Sequence, residues 1–184
     1  AGAGVAGLIL GLALQDSLKN VVGGVAIIVD KNFHIGDAIR LESGDTGTIQ
    51  EIGLRSTKMM TPDNEIIFVP NGQLANMRIT NLAKPNTRIR KIVDFSVDYG
   101  TDPEKVKKVV VDALKKIKGL YDDPYMDVVL VEMGDYGLKF KARFWVELDN
   151  NYDKWVEATQ AIYAALTKAK IGIPYPTHIV KMKK

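Results

Sequence analysis

The first thirty residues constrain this chain most, because they are almost entirely apolar and rich in glycine. Residues 1–14 contain only Ala, Gly, Val, Leu and Ile, a polar stretch follows at 15–20, and a second apolar run covers 21–29. A glycine inside a helix costs about 1 kcal/mol relative to alanine, so a soluble core helix would avoid four glycines in its first eleven residues. In a bilayer, small residues let neighbouring helices pack backbone to backbone. The run therefore favours packing in a membrane or an oligomer.

Two other interpretations of this run are a buried core helix and the remnant of a signal peptide. The signal peptide is disfavoured because no basic segment precedes the run and no cleavage site ends it. The opening run is shorter than the roughly 20 apolar residues that span a bilayer. We therefore expect it to be the end of a longer hydrophobic segment.

Helical spacing arranges the small and large residues of the run in two stripes. At about 100° per residue, Gly4, Gly7 and Gly11 form one stripe, and Leu8 and Leu12 lie on a second stripe about a quarter-turn away. A groove of glycines beside a ridge of leucines suits a ring of closely packed identical helices. In such a ring the grooves receive the neighbouring helices and the leucines point to a common axis.

The remainder of the chain has the composition of a water-soluble body, with 46% hydrophobic and 26% charged residues overall. The absence of cysteine excludes disulfides, thiol catalysis and cysteine-based zinc sites. The net charge of +3 is too small to indicate a nucleic-acid partner. His34 and His178 stand alone, without metal-ligand or triad spacing, and no phosphate-binding loop is present. We therefore predict no enzyme activity, no metal and no cofactor.

The segment 30–85 is predicted to be a small β-domain, a barrel or sandwich, because short strands alternate with Gly/Ser/Asp and Pro-Asp-Asn turns. The expected strands are Ala38–Leu41, Gly47–Ile52, Arg55–Thr61, Ile66–Val69 and Met77–Leu82. Pro70-Asn71-Gly72 is expected to form a turn after the fourth of them.

The segment 86–173 is predicted to be a ferredoxin-like α/β domain with the element order β-α-β-β-α. Its strands are expected at Ile89–Val97, Met126–Met133 and Leu138–Leu148, and its helices after Asp102 and over 153–169. The last segment, 174–184, is expected to be a strand that completes this sheet or pairs between subunits. The fold class is thus an α+β membrane protein with a helix over 1–29, two domains and a short C-terminal strand.

The chain resembles one family, the small-conductance mechanosensitive channels (MscS) of bacteria and archaea. Residues 7–15, Gly-Leu-Ile-Leu-Gly-Leu-Ala-Leu-Gln, look like the second half of the family's pore helix. The similarity continues through Ser17, Asn20, Gly24, Phe33–Asp37, Gly47–Ile49, Arg55–Thr57, Ile67–Gly72 and Pro174–Pro176. The family's first two transmembrane helices and the start of the third have no counterpart in this sequence.

The resemblance implies a homoheptamer of multi-pass subunits in the cell (inner) membrane. Its pore would be lined by the third transmembrane helix, above a large hollow cytoplasmic domain. The β-domain would be Sm-like, and the C-terminal strands would form a barrel between subunits. Tension in the lipid bilayer would open the pore and release inorganic ions and small osmolytes during hypo-osmotic shock.

The resemblance also assigns roles to single residues of the N-terminal helix. Leu8 and Leu12 match the rings that close the pore, and such apolar rings can gate by dewetting. The other matched residues fall into three groups: packing glycines at Gly4, Gly7 and Gly11, a bend or hinge at Asp16 and Gly24, and gating contacts at Leu14, Gln15 and Leu18. Asp16 stands where the family often has glycine, and seven copies would form a ring of carboxylates just below the gate. We expect each Asp16 to be neutralised by Lys19, three residues later, and the alternative is an unpaired ring with some preference for cations.

One alternative from another functional class remains at this point. A soluble oligomeric Sm-like scaffold or an RNA-binding module with an apolar N-terminal helix would share much of the same pattern. RNA-recognition sheets expose aromatic residues on their central strands, and only Tyr136 and Trp145 are candidates here.

Overall fold

The computed structural model describes residues 2–122 and 125–177. The chain divides between Asn86 and Thr87 into two compact units, residues 1–86 and 87–184. We call them unit 1 and unit 2.

Unit 1 begins with one uninterrupted helix, α1 (Gly2–Asp30). The polar stretch at 15–20 does not break it, and the helix continues through Asp16 and Gly24. At 1.5 Å per residue a helix of 29 residues is roughly 43 Å long. Lys31 follows it with a left-handed backbone (φ 53°), a conformation that often ends a helix.

A five-stranded antiparallel sheet follows α1, with the strand order β4-β3-β2-β1-β5. Its strands are β1 (Ala38–Leu41), β2 (Thr46–Ile52), β3 (Ser56–Met60), β4 (Ile66–Pro70) and β5 (Ile79–Asn81). The alternating burial of β2 and β3 places every second side chain in the core. The core of unit 1 is built around the buried side chains of Ile27, Phe33, Ile39, Ile49, Met59 and Leu74.

A short helix, α2 (Asn71–Leu74), occupies the place where the sequence predicted only a turn. Pro70 precedes it with φ −58°, a value already suited to helix entry. The side chain of Asn71, fully buried, holds this turn against the sheet by hydrogen bonds described below. A single turn of helix is too short to produce a periodic pattern, which explains why the sequence alone did not indicate it.

Unit 2 has the β-α-β-β-α order that the sequence predicted, with one additional short strand, β7. Its elements are β6 (Arg88–Asp98), α3 (Pro103–Leu114), β7 (Leu120–Tyr121), β8 (Asp127–Met133), β9 (Gly137–Glu147) and α4 (Asn151–Lys168). β9 pairs with β6 along one edge and with β8 and β7 along the other, always antiparallel.

The two helices of unit 2 pack against the apolar face of its sheet. β9 alternates buried and partly exposed residues over almost its whole length, as its sequence predicted. The core contains residues from β9, α3 and α4, among them Phe140, Phe144, Val106, Leu114, Ile162 and Leu166. Asp102 caps α3 as expected, because its side chain accepts a hydrogen bond of 3.0 Å from the Glu104 N–H.

The expected C-terminal strand lies mainly outside the described residues. Residues 171–177 follow α4 without regular secondary structure, and 178–184 are not described. The backbone N–H of Asp98, at the end of β6, donates to the carbonyl of Gly172 at 3.0 Å. This contact ties the start of the segment to unit 2.

Candidate functional site

The first part of α1 presents a continuous exposed apolar surface. Every residue from Gly4 to Lys19 is exposed, and the predicted gate residues Leu8 and Leu12 are 64% and 63% exposed. By length and composition the segment Gly4–Asp30 could cross a membrane, and only 17% of its apolar window is buried. A core helix of a soluble protein would be mostly buried. The exposure therefore argues against the core-helix interpretation and for a partner or a bilayer around the helix.

The structure places several of the predicted site residues along one open groove of about 840 Å³. The groove runs along α1 and past the residues that follow α2, Ala75 and Asn76. The predicted residues that line it are Gly7, Leu8, Gly11, Leu12, Gln15 and Leu18. Gly4, Leu14, Asp16 and Gly24 are not part of this lining. Two of the three packing glycines and both gate leucines thus share one surface, together with two of the three predicted contact residues, Gln15 and Leu18.

The glycines at the start of α1 have free space in front of them. A Cβ atom built on Gly4, Gly7 or Gly11 would meet no atom within 4 Å. Nothing inside the described chain explains these glycines, although each weakens a helix relative to alanine. The room they leave is available to a neighbouring backbone.

The glycines near the end of α1 are instead in tight contact with α2 and with the loop at residues 53–54 of unit 1. A Cβ on Gly23 would lie 2.6 Å from the carbonyl oxygen of Asn71. A Cβ on Gly24 would lie 2.6 Å from the Asn71 side-chain nitrogen and 2.8 Å from the Leu54 carbonyl oxygen. Gly24, which the resemblance assigns to a hinge, therefore sits in a close packing contact within a continuous helix. Its role as a hinge stays a prediction.

Asn71 is the centre of this contact between α1, α2 and the loop at Gly53, which we call the junction. Its side-chain oxygen accepts a hydrogen bond of 2.8 Å from the Thr57 hydroxyl, and its side-chain nitrogen donates to the Gly53 carbonyl at 2.8 Å. Both Asn71 and Thr57 are completely buried. A buried amide must be hydrogen-bonded to be tolerated, so these bonds fix α2 and the loop at Gly53 in one arrangement.

A second contact joins the middle of α1 to α2. The side-chain oxygen of Asn20 accepts a hydrogen bond of 2.9 Å from the Gly72 N–H. A Cβ on Gly72 would lie 2.9 Å from Lys19 Cγ and 3.0 Å from the Lys19 carbonyl oxygen. Glycine at 72 therefore allows α1 to lie directly on the first turn of α2.

The possible ion pair between Asp16 and Lys19 is not among the ion pairs of the described residues. Asp16 is exposed, and Asn20 donates to its backbone carbonyl at 2.9 Å rather than to its carboxylate. The stem of Lys19 runs beside Gly72. The expected pair is therefore absent from the described residues, although the spacing of three residues permits it.

Sequence reasoning identified the exposed part of this site and missed its buried part. Asn20, Gly23, Thr57, Asn71 and Gly72 form the junction, yet none of them was assigned to a site. Two signals were present: the adjacent glycines 23 and 24, and the Pro70-Asn71-Gly72 triplet. Neither signal indicates by itself that the two segments, about fifty residues apart, touch each other.

Comparison with known families identifies both parts of the chain. The family model described as "Mechanosensitive ion channel, beta-domain" matches residues 16–84. The model described as "Mechanosensitive ion channel MscS, C-terminal" matches residues 92–182. Together these matches include the sheet of unit 1, the junction with α1 and nearly all of unit 2.

Individual relatives give the same result. The chain is 37% identical to a small-conductance mechanosensitive channel of Edwardsiella ictaluri, over 93% of this chain and 59% of that protein. It is 32% identical to the small-conductance channel MscMJ of Methanocaldococcus jannaschii, over 100% of this chain and 53% of that protein.

A solved structure, Helicobacter pylori MscS in a closed state, superposes with a TM-score of 0.90 at 25% identity. The alignment covers 99% of this chain and 72% of that one. The chain spans only 53–59% of the length of the two curated relatives. It belongs to the MscS family of mechanosensitive ion channels, which is not an enzyme family.

Proposed function

We propose that this chain, as part of a longer protein, forms a membrane pore that opens when bilayer tension rises. Copies of α1 would surround a central pore through which inorganic ions and small osmolytes leave the cell during hypo-osmotic shock. The observation that carries the proposal is the exposed apolar helix with leucines and glycines on one groove. Family membership supports the same function.

In this proposal Leu8 and Leu12 form the gate. The two residues are one helical turn apart and both are exposed. Their side chains are therefore free to form two rings that narrow the pore. An apolar constriction of this kind excludes water and therefore ions, and it can open by a modest widening.

The other residues of the first half of α1 would contact neighbouring helices. Gly4, Gly7 and Gly11 would receive the neighbouring pore helix, since nothing in the chain occupies their space. Gln15 would contact the next subunit, and Leu14 and Leu18 would contact the outer helices. Asp16 and Gly24 would be the positions where α1 bends during opening.

Below the membrane, units 1 and 2 would form the wall of a cytoplasmic cage. We assign an Sm-like fold to the five-stranded sheet of unit 1 and a ferredoxin-like fold to unit 2, the latter supported by its strand order β6-β9-β8. Seven copies would assemble, and the C-terminal segment would pair between subunits. The full protein would be a multi-pass protein of the cell (inner) membrane.

The alternative of an RNA-binding module finds little support in the outer face of unit 2. Lysines on β9 are paired with carboxylates: Lys139 with Glu132 at 2.9 Å and Lys141 with Asp94 at 3.6 Å. Arg143 is likewise paired with Asp127. Trp145 is half-buried and its indole nitrogen is buried, so only part of its ring is available for stacking on a base.

Serine substitutions in the full-length channel, recorded in membrane patches, test the proposed gate. Leu8→Ser and Leu12→Ser should wet the constriction, so each variant should open at lower tension or leak at rest. Leu10→Ser is the matched control, because Leu10 is equally exposed at 61% but does not line the groove.

The control should leave the opening threshold closer to that of the wild type. Equal amounts of protein in the membrane must be verified for all variants. An unchanged threshold in both Leu8→Ser and Leu12→Ser would overturn the assignment of the gate.

A further inference from the structure

The carboxyl end of α1 is held by a lysine from the end of unit 1. The Lys84 ammonium lies 3.1 Å from the Lys31 carbonyl oxygen and 3.4 Å from the Asn32 carbonyl oxygen. These carbonyls follow directly on Asp30, the last residue of α1. A cation at a helix carboxyl end interacts favourably with the helix dipole and with the unpaired carbonyls there.

The third neighbour of this ammonium is an imidazole. Nδ1 of His34 lies 3.5 Å from the Lys84 nitrogen. An ammonium has three N–H groups, and here three acceptors surround it. The imidazole can be the third acceptor only while Nδ1 carries no proton, because a protonated imidazole has two donors and no acceptor.

A carboxylate also lies near this ring nitrogen. Asp37 Oδ2 lies 3.8 Å from His34 Nδ1. It also accepts hydrogen bonds from the Asn81 side chain at 2.9 Å and from the His34 backbone N–H at 3.0 Å. Burial raises the pKa of Asp37, but these hydrogen bonds and the Lys84 charge outweigh burial and keep the pKa below its usual value. Asp37 is therefore ionised throughout the range where a histidine titrates.

We propose that His34, Lys84 and Asp37 form a proton-operated clip on the carboxyl end of α1. With a neutral imidazole, Lys84 bridges His34 and the end of the helix, and the clip is closed. Protonation removes the acceptor and places two positive charges about 3.5 Å apart. The imidazolium then pairs with Asp37, Lys84 leaves the helix end, and the last turn of α1 loosens.

The charged groups recorded against the imidazole in the described part of the chain are Asp37 and Lys84. Lys31 contributes its backbone carbonyl to the same ammonium. Both His34 and Lys84 are exposed, so a proton from the solvent reaches the clip without unfolding. Because its pKa is held below the usual value, Asp37 keeps its charge between pH 7.5 and 6.

If the proposed function is correct, the clip links cytoplasmic acidity to the pore, because α1 is the helix that would line it. The structural step is tested separately from gating, by hydrogen exchange of the full-length protein in detergent at pH 7.5 and 6.0. The segment measured is residues 24–33, which is identical in all variants of residues 34 and 84. Comparing variants at one pH removes the intrinsic pH dependence of amide exchange.

Two substitutions at His34 and one at Lys84 define the expected results. His34→Asn keeps a neutral acceptor near the position of Nδ1, so its exchange should show no additional increase at pH 6.0. Wild-type exchange should exceed that of His34→Asn by about threefold at pH 6.0, an effect in the range of exposed charge pairs. His34→Arg, permanently charged, should exchange faster than wild type already at pH 7.5.

In Lys84→Met, residues 24–33 should exchange fast at both pH values. The control is Lys116→Met, which changes an exposed lysine of unit 2 and should give wild-type exchange in this segment. An equal acid response in wild type and His34→Asn would overturn the clip and would point to other groups, such as His178. The clip would also be overturned if residues 24–33 of His34→Arg exchanged at the wild-type rate at pH 7.5.

Patch recordings of the same variants then test the consequence for gating. The tension for half-opening should shift between cytoplasmic pH 7.5 and 6.0 in wild type, and the shift should be absent in His34→Asn. A pH-dependent exchange without any shift in tension would overturn the link to gating. A chain without channel activity would still show the exchange response, so the two proposals fail in different ways.

Discussion

The two parts of α1 use the same residue type for opposite purposes. In the first part, Gly4, Gly7 and Gly11 have no atom within 4 Å of a built Cβ. In the last part, Gly23 and Gly24 have backbone or amide atoms 2.6 Å from that position. In one helix, the first three glycines thus leave open space for atoms from outside the chain. The last two glycines are already in contact with atoms of the same chain.

This difference separates the part of α1 that is packed within its own chain from the part that is not. Near its end, α1 belongs to the core of unit 1, because Ile27 is 5% exposed and packs with the residues of the sheet. Before Asn20, every described side chain is exposed. An apolar surface of this extent is stable only when a bilayer or other helices cover it.

From the comparison of the two parts of α1, we expect the largest loss of stability for Gly24→Val. The new side chain would collide with the Asn71 amide and the Leu54 carbonyl, and a close-packed junction has no room to move. We expect a destabilisation of unit 1 by about 3 kcal/mol, the upper end for overpacking. Hydrogen-exchange protection of β3 in the full-length protein measures it.

Gly7→Val is the matched control for this substitution, in the same helix but with open space in front of it. It should leave the protection of β3 unchanged and should instead impair assembly or alter the opening threshold. Equal losses of protection in both variants would show that the two parts of α1 do not differ in this way.

A smaller effect is expected from Thr57→Val, which keeps the shape of the side chain and removes the hydroxyl. The buried Asn71 oxygen then loses its donor, and an unsatisfied buried acceptor costs about 1–3 kcal/mol. Urea unfolding of the full-length protein, followed at unit 1, measures the loss. Thr48→Val, at a half-buried position on β2, is the control, and a loss as large as that of Thr57→Val would contradict the central role of Asn71.

The smallest effect concerns the charge at Asp16. Because no ion pair with Lys19 is formed in the described chain, a ring of Asp16 carboxylates near the pore would attract cations. Asp16→Asn should therefore shift the reversal potential in asymmetric salt slightly towards anions, and Lys19→Ala should shift it less. A larger shift in Lys19→Ala than in Asp16→Asn would show instead that Lys19 neutralises the Asp16 carboxylates in the assembled pore.

Local patterns determined most elements of both units. The alternation in β9, with Leu138, Phe140 and Ala142 inward, predicted its strand, and Asp102 before Pro103 predicted the start of α3. Each of these signals lies within a few residues, so it acts before any tertiary contact forms. The exposed stripe of Leu8 and Leu12 is visible in the sequence for the same reason, since a regular helix fixes its geometry.

Only the tertiary structure decided the junction and the clip. Asn71 lies about fifty residues from Asn20, and Lys84 lies about fifty residues from the end of α1. No local pattern indicates which distant backbone a buried amide or an ammonium will reach. Both contacts need segments far apart in the sequence, and only the complete sheet brings these segments together. The sequence by itself determined a helix with an apolar stripe, a β-domain in unit 1 and an α/β domain in unit 2. The packing of α1 on α2 decided that its last glycines are buried, while its first glycines stay open.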